Sequence, residues 1–162
     1  MTNINDLEVP ATASNYTKLE EWTVKLRILS DFIDGYSDFD EANKVSLLYK
    51  KEDCPEVALS PRGFIYTWSC LVWNYDLKQI QIWQIKSKQL MAKLKTLAAD
   101  ADRGSDFGEY DLKISKAGKD KETKYDAVPA NKKAPAPEIM EAMLTADIDL
   151  EKLYMGIDPF KK

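Results

Sequence analysis

The chain contains no histidine and only two cysteines, Cys54 and Cys70. Without an imidazole neither a Ser-His-Asp nor a Cys-His catalytic set can be assembled, and a Cys/His zinc site of ordinary ligand spacing is excluded. Cys70 lies inside a strand-like run and is expected as a small buried apolar residue; Cys54, between Asp53 and Pro55, is expected in a loop. No apolar run approaches the roughly 20 residues needed to cross a bilayer. Met1 opens a polar, acidic segment where a leader would place basic residues before an apolar core. These absences predict a protein with no metal, cofactor or membrane partner, located in the cytoplasm.

Net charge is small over most of the chain. The formal net charge is −4, and Glu138, Glu141, Asp147, Asp149, Glu151 and Asp158 against three lysines place −3 of it after residue 137. The preceding body is close to neutral and carries local lysines at 86, 88, 93 and 95 and again from 113 to 124. An anionic ligand is therefore not excluded, because binding responds to the local field and not to the sum.

Regular structure is expected from residue 24, where Val24, Leu26 and Ile28 alternate with Lys25 and Arg27, the period of a strand with one buried face. Asp34-Gly35 supplies turn chemistry, with Tyr36 and Phe39 punctuating an acidic loop. Residues 52–63, with two prolines and a closing glycine, predict a long connection. Residues 64–73 and 80–85 predict two strands of a hairpin joined by NYDLKQ. Ser87 can cap a helix whose Leu90, Met91, Leu94 and Leu97 fall at helical spacing. Tyr110, Leu112 and Ile114 begin a second hairpin that closes with TKYDAV. The expected fold class is mainly β, a five-stranded OB barrel with a helix between strands 3 and 4. A linker, ANKKAPAP, and an acidic, amphipathic C-terminal helical tail follow. The implied organisation is a flexible arm over residues 1–15, a barrel over 16–130, and linker plus tail over 131–162.

What the sequence has in excess is aromatic residues in one place. Three of its four tryptophans lie in FIYTWSCLVWNYDLKQIQIWQIK, residues 64–86. Aromatic side chains fill small barrels, so each ring taken alone is expected in the core. Together they exceed what one strand face can hold, and some are expected to point outward. Outward rings beside cations are the components of a single-stranded nucleic-acid surface, since bases stack without regard to sequence while Lys and Arg follow the phosphates. Lys25, Arg27, Arg62 and Lys86 are the candidate cations, and Tyr36, Tyr66, Trp68, Trp73, Tyr75 and Trp83 the candidate rings. Asp100, Asp102, Asp106 and Glu109 also cluster in sequence; acids among glycines mark a solvated loop more often than a Mg²⁺ site.

VKLRIL at 24–29, VWNYD at 72–76, the lysine-rich helix, and YDLKISKAGKDKETKY at 110–125 stand in the order found in bacteriophage single-stranded DNA-binding proteins. The chain resembles in particular those related to the helix-destabilising proteins of the T-even phages, over residues 15 to about 130. The resemblance implies an OB-fold that coats single strands during phage DNA replication, recombination and repair in the host cell cytoplasm. It implies roles for Arg27, Trp73, Asn74, Tyr75, Thr123 and Tyr125, in binding or in the fold. The T-even proteins hold zinc through His and Cys, and this histidine-free chain departs from them there. The acidic tail, with Asp158, Pro159 and Phe160 near its end, is similar to segments that recruit a polymerase, helicase or primase, but Lys161 and Lys162 follow the phenylalanine. Packing of residues 138–155 as a helix on the barrel is an equal expectation. The competing function is a phage protein-interaction module, an inhibitor or assembly factor, whose exposed rings anchor a protein interface.

Overall fold

In the computed structural model, residues 15–17, 23–100, 102, 106–118 and 122–160 are described; all but the last residue of the expected N-terminal arm lies outside them. Seven antiparallel strands form one sheet whose path does not close. They are β1 (Val24–Ile28), β2 (Ile33–Asp40), β3 (Val45–Tyr49), β4 (Ile65–Asn74), β5 (Gln79–Ile85), β6 (Tyr110–Ala117) and β7 (Lys124–Lys132). Helix α1 (Lys88–Ala98) lies between β5 and β6, and α2 (Pro137–Thr145) follows β7. No described helix is long and apolar enough to cross a membrane.

One strand, β2, occupies the segment expected to be an acidic loop, and β3 follows directly after it. Asp34 and Gly35 sit within β2, paired with Trp68 and Thr67 of β4, and no turn forms there. Gly35 is needed for close packing: a Cβ at this position would lie 2.2 Å from the Tyr49 carbonyl oxygen and 3.1 Å from Cε1 of Tyr154. The chain reverses instead after Asp40, whose carboxylate accepts from the Ala42 and Asn43 amides and the Asn43 side chain. Lys44 then takes φ 55°, the left-handed conformation such reversals require.

The β4–β5 hairpin organises the sheet. One edge of β4 pairs with β5 from Trp68 to Asn74, while the other pairs with β2 over residues 65–69 and with β1 over 72–74. Tyr66, Trp68, Cys70 and Val72 alternate onto one face of β4 and meet Leu26, Ile28, Trp83 and Ile85 in the core. Helix α1 covers this core with Leu90, Met91, Leu94 and Leu97, each contributing about 1.5–3 kcal/mol on burial. Its start is fixed by Ser87, whose Oγ accepts from the Leu90 amide at 3.3 Å, and Gln89 Oε1 accepts from the Tyr125 amide of β7.

The path β5–β4–β1–β6–β7 leaves β5 and β7 without a described pairing to each other. The free edge of β5 is taken by residues 15–17: Thr17 N–H donates to the Ile82 carbonyl, and Ile82 N–H to that of Asn15, both at 2.9 Å. Helix α1 packs on β7 at the opening.

After β7 the tail is folded against the sheet. Helix α2 ends at Thr145, because Asp147 and Asp149 favour caps over helix interiors. Asp149 caps a short 3₁₀ turn, Leu150–Met155, through the Glu151 amide. That turn docks on β3 and β4, with Tyr154 donating to the Ile33 carbonyl at 3.1 Å and Glu151 paired with Lys50. A single helix over 138–155 does not form.

Candidate nucleic-acid interface

Where β2, β3 and β4 run past the core, no described α-helix packs on the core-facing side of the sheet. Period-two alternation puts Asp34 and Tyr36 of β2, Tyr49 of β3, and Tyr66 and Trp68 of β4 on this side. Phe64 precedes β4, Phe32 precedes β2, and Phe107 opens the 3₁₀ turn before β6. The rings make a strip: Tyr49 to Phe64 at 6.3 Å between centroids, Phe64 to Tyr36 at 6.4 Å, and Tyr36 to Tyr66 at 5.6 Å. Trp68, two residues along the same face of β4 from Tyr66, stands 5.8 Å from Phe32, and Phe32 stands 5.9 Å from Phe107. All seven are half-buried, packed mostly edge to face as ring quadrupoles favour, with part of each surface left to solvent.

At the centre of the strip lies a charged pair. Lys51 Nζ is 3.0 Å from Asp34 Oδ2 and 5.3 Å from the centroid of Tyr66, whose hydroxyl donates to the same carboxylate oxygen at 2.7 Å. The hydrogen bonds from Tyr66 and Lys51 hold the Asp34 carboxyl below its usual value. Hydrogen bonding to Asp34 raises the Lys51 ammonium, and burial, then Asp34, raises the Tyr66 phenol. The strip is therefore nearly neutral: a cation lies over a ring, and an acid lies beside it.

The expected site residues separate into four places. Tyr36, Tyr66 and Trp68 are in the strip. Trp73 and Trp83 are 4% and 1% exposed, so neither indole presents a face to a ligand; register places Trp83 opposite Cys70, inside the core. Arg27 is fully buried and cannot neutralise a phosphate. Its Nε donates to Asp111 Oδ1 at 2.7 Å, and Nη1 donates to the carbonyls of Gly108 and Lys133 at 3.0 and 2.7 Å. Tyr75 belongs to the same cluster, donating to Asp111 at 2.5 Å, with Lys25 3.6 Å from Asp111 and over the Tyr75 ring. Burial and this hydrogen bond push the Tyr75 phenol up to about 12. Arg62 and Lys86 line an open groove of about 660 Å³ with Tyr16, Ser37, Ile65 and Gln84. Of these, the strand residues Ser37, Ile65 and Gln84 alternate onto the face of the sheet opposite the strip. Strip rings and groove cations thus cannot act on the same nucleotide.

The tail tip is also engaged. Pro159 is buried and its carbonyl accepts from the Asp149 amide; Asp158 accepts from the Phe160 amide; Phe160 packs edge-on against Tyr16 at 6.1 Å. Cys70 is buried and its thiol is pushed far up by burial, while Cys54 is half-buried. Among the described residues no group of three or more Cys, Asp or Glu side chains is placed to hold a metal; Asp100 and Asp106 cap local turns. Sequence analysis missed Phe32, Tyr49, Lys51, Phe64 and Phe107 as strip members. Only the aromatics flanking the 52–63 connection, Tyr49 and Phe64, carry a signal of this kind; Phe32, Lys51 and Phe107 carry none.

No protein-family model matches the chain, and neither a curated protein nor a solved structure matches it.

Proposed function

We propose that this chain is a non-enzymatic protein that binds single-stranded DNA by stacking bases on the Tyr49–Phe107 strip. The observation that carries it is seven half-buried rings in two adjoining runs on one face of the sheet, with a cation over one of them: base-on-ring stacking contributes about 1–3 kcal/mol per base and tolerates any sequence. The strand path supports the same reading. β1, β4, β5, β6 and β7 with α1 between β5 and β6 follow the order of an OB barrel, opened here where residues 15–17 take the edge of β5. Its place would be on strands exposed in phage DNA replication, recombination and repair in the host cytoplasm, alongside phage replication proteins. Titration with oligo-dT tests it. Trp68, half-buried beside the stacked bases, should be quenched; no quenching and no mobility shift at low salt refute the proposal.

A protein-interaction module is favoured by a different observation. Helix α2 buries Ile139 but exposes Met140, Met143 and Leu144, the last 87% accessible, more apolar surface than a solvated helix needs. Purification distinguishes the two: nuclease-sensitive material supports the first, a stoichiometric protein the second.

A further inference from the structure

We propose that Asp34 reads the edge of a base stacked on the strip, favouring a base with adjacent hydrogen-bond donors, guanine first and thymine last. This rests on the single-strand reading above. Asp34 pairs in register with Trp68 and stands on β2 between Phe32 and Tyr36, so its carboxylate lies at the junction of the two halves of the ring strip. Oδ2 takes both the Tyr66 hydroxyl and Lys51. An ionised carboxylate accepts at about four lone-pair positions, so acceptor capacity remains, and the side chain is 45% exposed.

A base lying on Trp68 or Tyr66 brings its Watson–Crick edge to this carboxylate. Guanine offers N1–H and N2–H₂ side by side. Cytosine and adenine offer one amino group beside a ring nitrogen acceptor. Thymine offers a single N3–H flanked by two carbonyl oxygens that the carboxylate repels. Carboxylates discriminate among bases through such donors. Tyr66 and Lys51 fix the carboxylate and keep it ionised, so the acceptor is in place before the base arrives.

The test compares a labelled five-residue thymidylate with the same oligomer carrying one central guanine, by fluorescence anisotropy, using the full chain. A single guanine cannot form a quadruplex within one strand. The wild-type protein should bind the guanine oligomer about tenfold more tightly. Asp34→Asn, which places a donor where the carboxylate had only acceptors, should reduce that ratio to about twofold or less. Equal binding of the two oligomers by the wild type, or a preference that survives Asp34→Asn, overturns the role of Asp34 while leaving the strip as a DNA surface. Failure of every oligomer to bind overturns the strip itself.

Discussion

Arg27 alternates with Leu26 and Ile28 as an outward residue would, yet it is sealed in the fold, and replacing it with methionine separates the two roles it could have. The substitution preserves much of the volume and removes the charge and the donors to Asp111, Gly108 and Lys133. Breaking a buried ion pair by removing one partner costs about 3–5 kcal/mol because the other charge is left unpaired. Asp111 retains Tyr75 and Lys25, which argues for the lower end. For a chain of this size, about 3 kcal/mol lowers Tm by about 6–12 °C. Urea and thermal unfolding followed by circular dichroism measure this, and oligo-dT binding at several salt concentrations is measured well below the new Tm. Arg27→Met should lose stability and keep the wild-type salt dependence. A variant within about 1 kcal/mol of wild type whose salt slope falls by about 0.7, one phosphate contact on a single strand, would refute the assignment of Arg27 to the interior.

Acid should reveal the same cluster. Burial pushes the Asp111 carboxyl up, but the hydrogen bonds from Tyr75 and Arg27 and the charges of Arg27 and Lys25 outweigh it and hold the group below its usual value. Its contribution is therefore complete above about pH 4, where the unfolded carboxyl titrates, and is lost as pH falls from there through the depressed folded value. Urea midpoints between neutral pH and pH 2 should flatten over that window in Asp111→Asn. Ser87→Ala removes the cap of α1 and should cost about 1 kcal/mol, a fall of about 2–4 °C in Tm by calorimetry, with binding unchanged. Trp68→Ala should weaken oligo-dT binding by about 1–3 kcal/mol in anisotropy titrations, whereas Trp73→Phe should leave affinity unchanged.

The elements legible in the sequence were those whose stabilising contacts are local. The β4–β5 hairpin shows in the alternation of residues 65–74 and 79–85, and α1 in Ser87 and the spacing of Leu90, Leu94 and Leu97. β2 was not legible because Asp34-Gly35 carries turn chemistry; what overrides it is Tyr49 and Tyr154 packing where a Cβ would stand, contacts 14 and 119 residues away. The burial of Arg27 is hidden from the sequence for a related reason. Alternation reports exposure only when one face of a strand meets water, and the chain around Gly108 and Lys133 covers the second face of β1. The strip is half legible: Tyr36, Tyr66 and Trp68 stand among the candidate rings, Phe64 falls in the expected 64–73 strand without being singled out, and Tyr49 and Lys51 precede the expected 52–63 connection in a stretch with no clear pattern.

Separation of rings from cations makes salt the sharpest discriminator between the faces of the sheet. A strand on the strip meets Lys51, already paired with Asp34, so few counterions are released and the slope of log K against log salt should be no steeper than about −0.7. A strand in the groove on the other face would meet Arg62 and Lys86 and give about −1.4 or steeper. The double variant Arg62→Ala, Lys86→Ala should therefore leave oligo-dT affinity and slope unchanged if stacking on the strip dominates. If that variant abolishes binding while Trp68→Ala does not, the bases lie on the opposite face and the strip is merely an extension of the core.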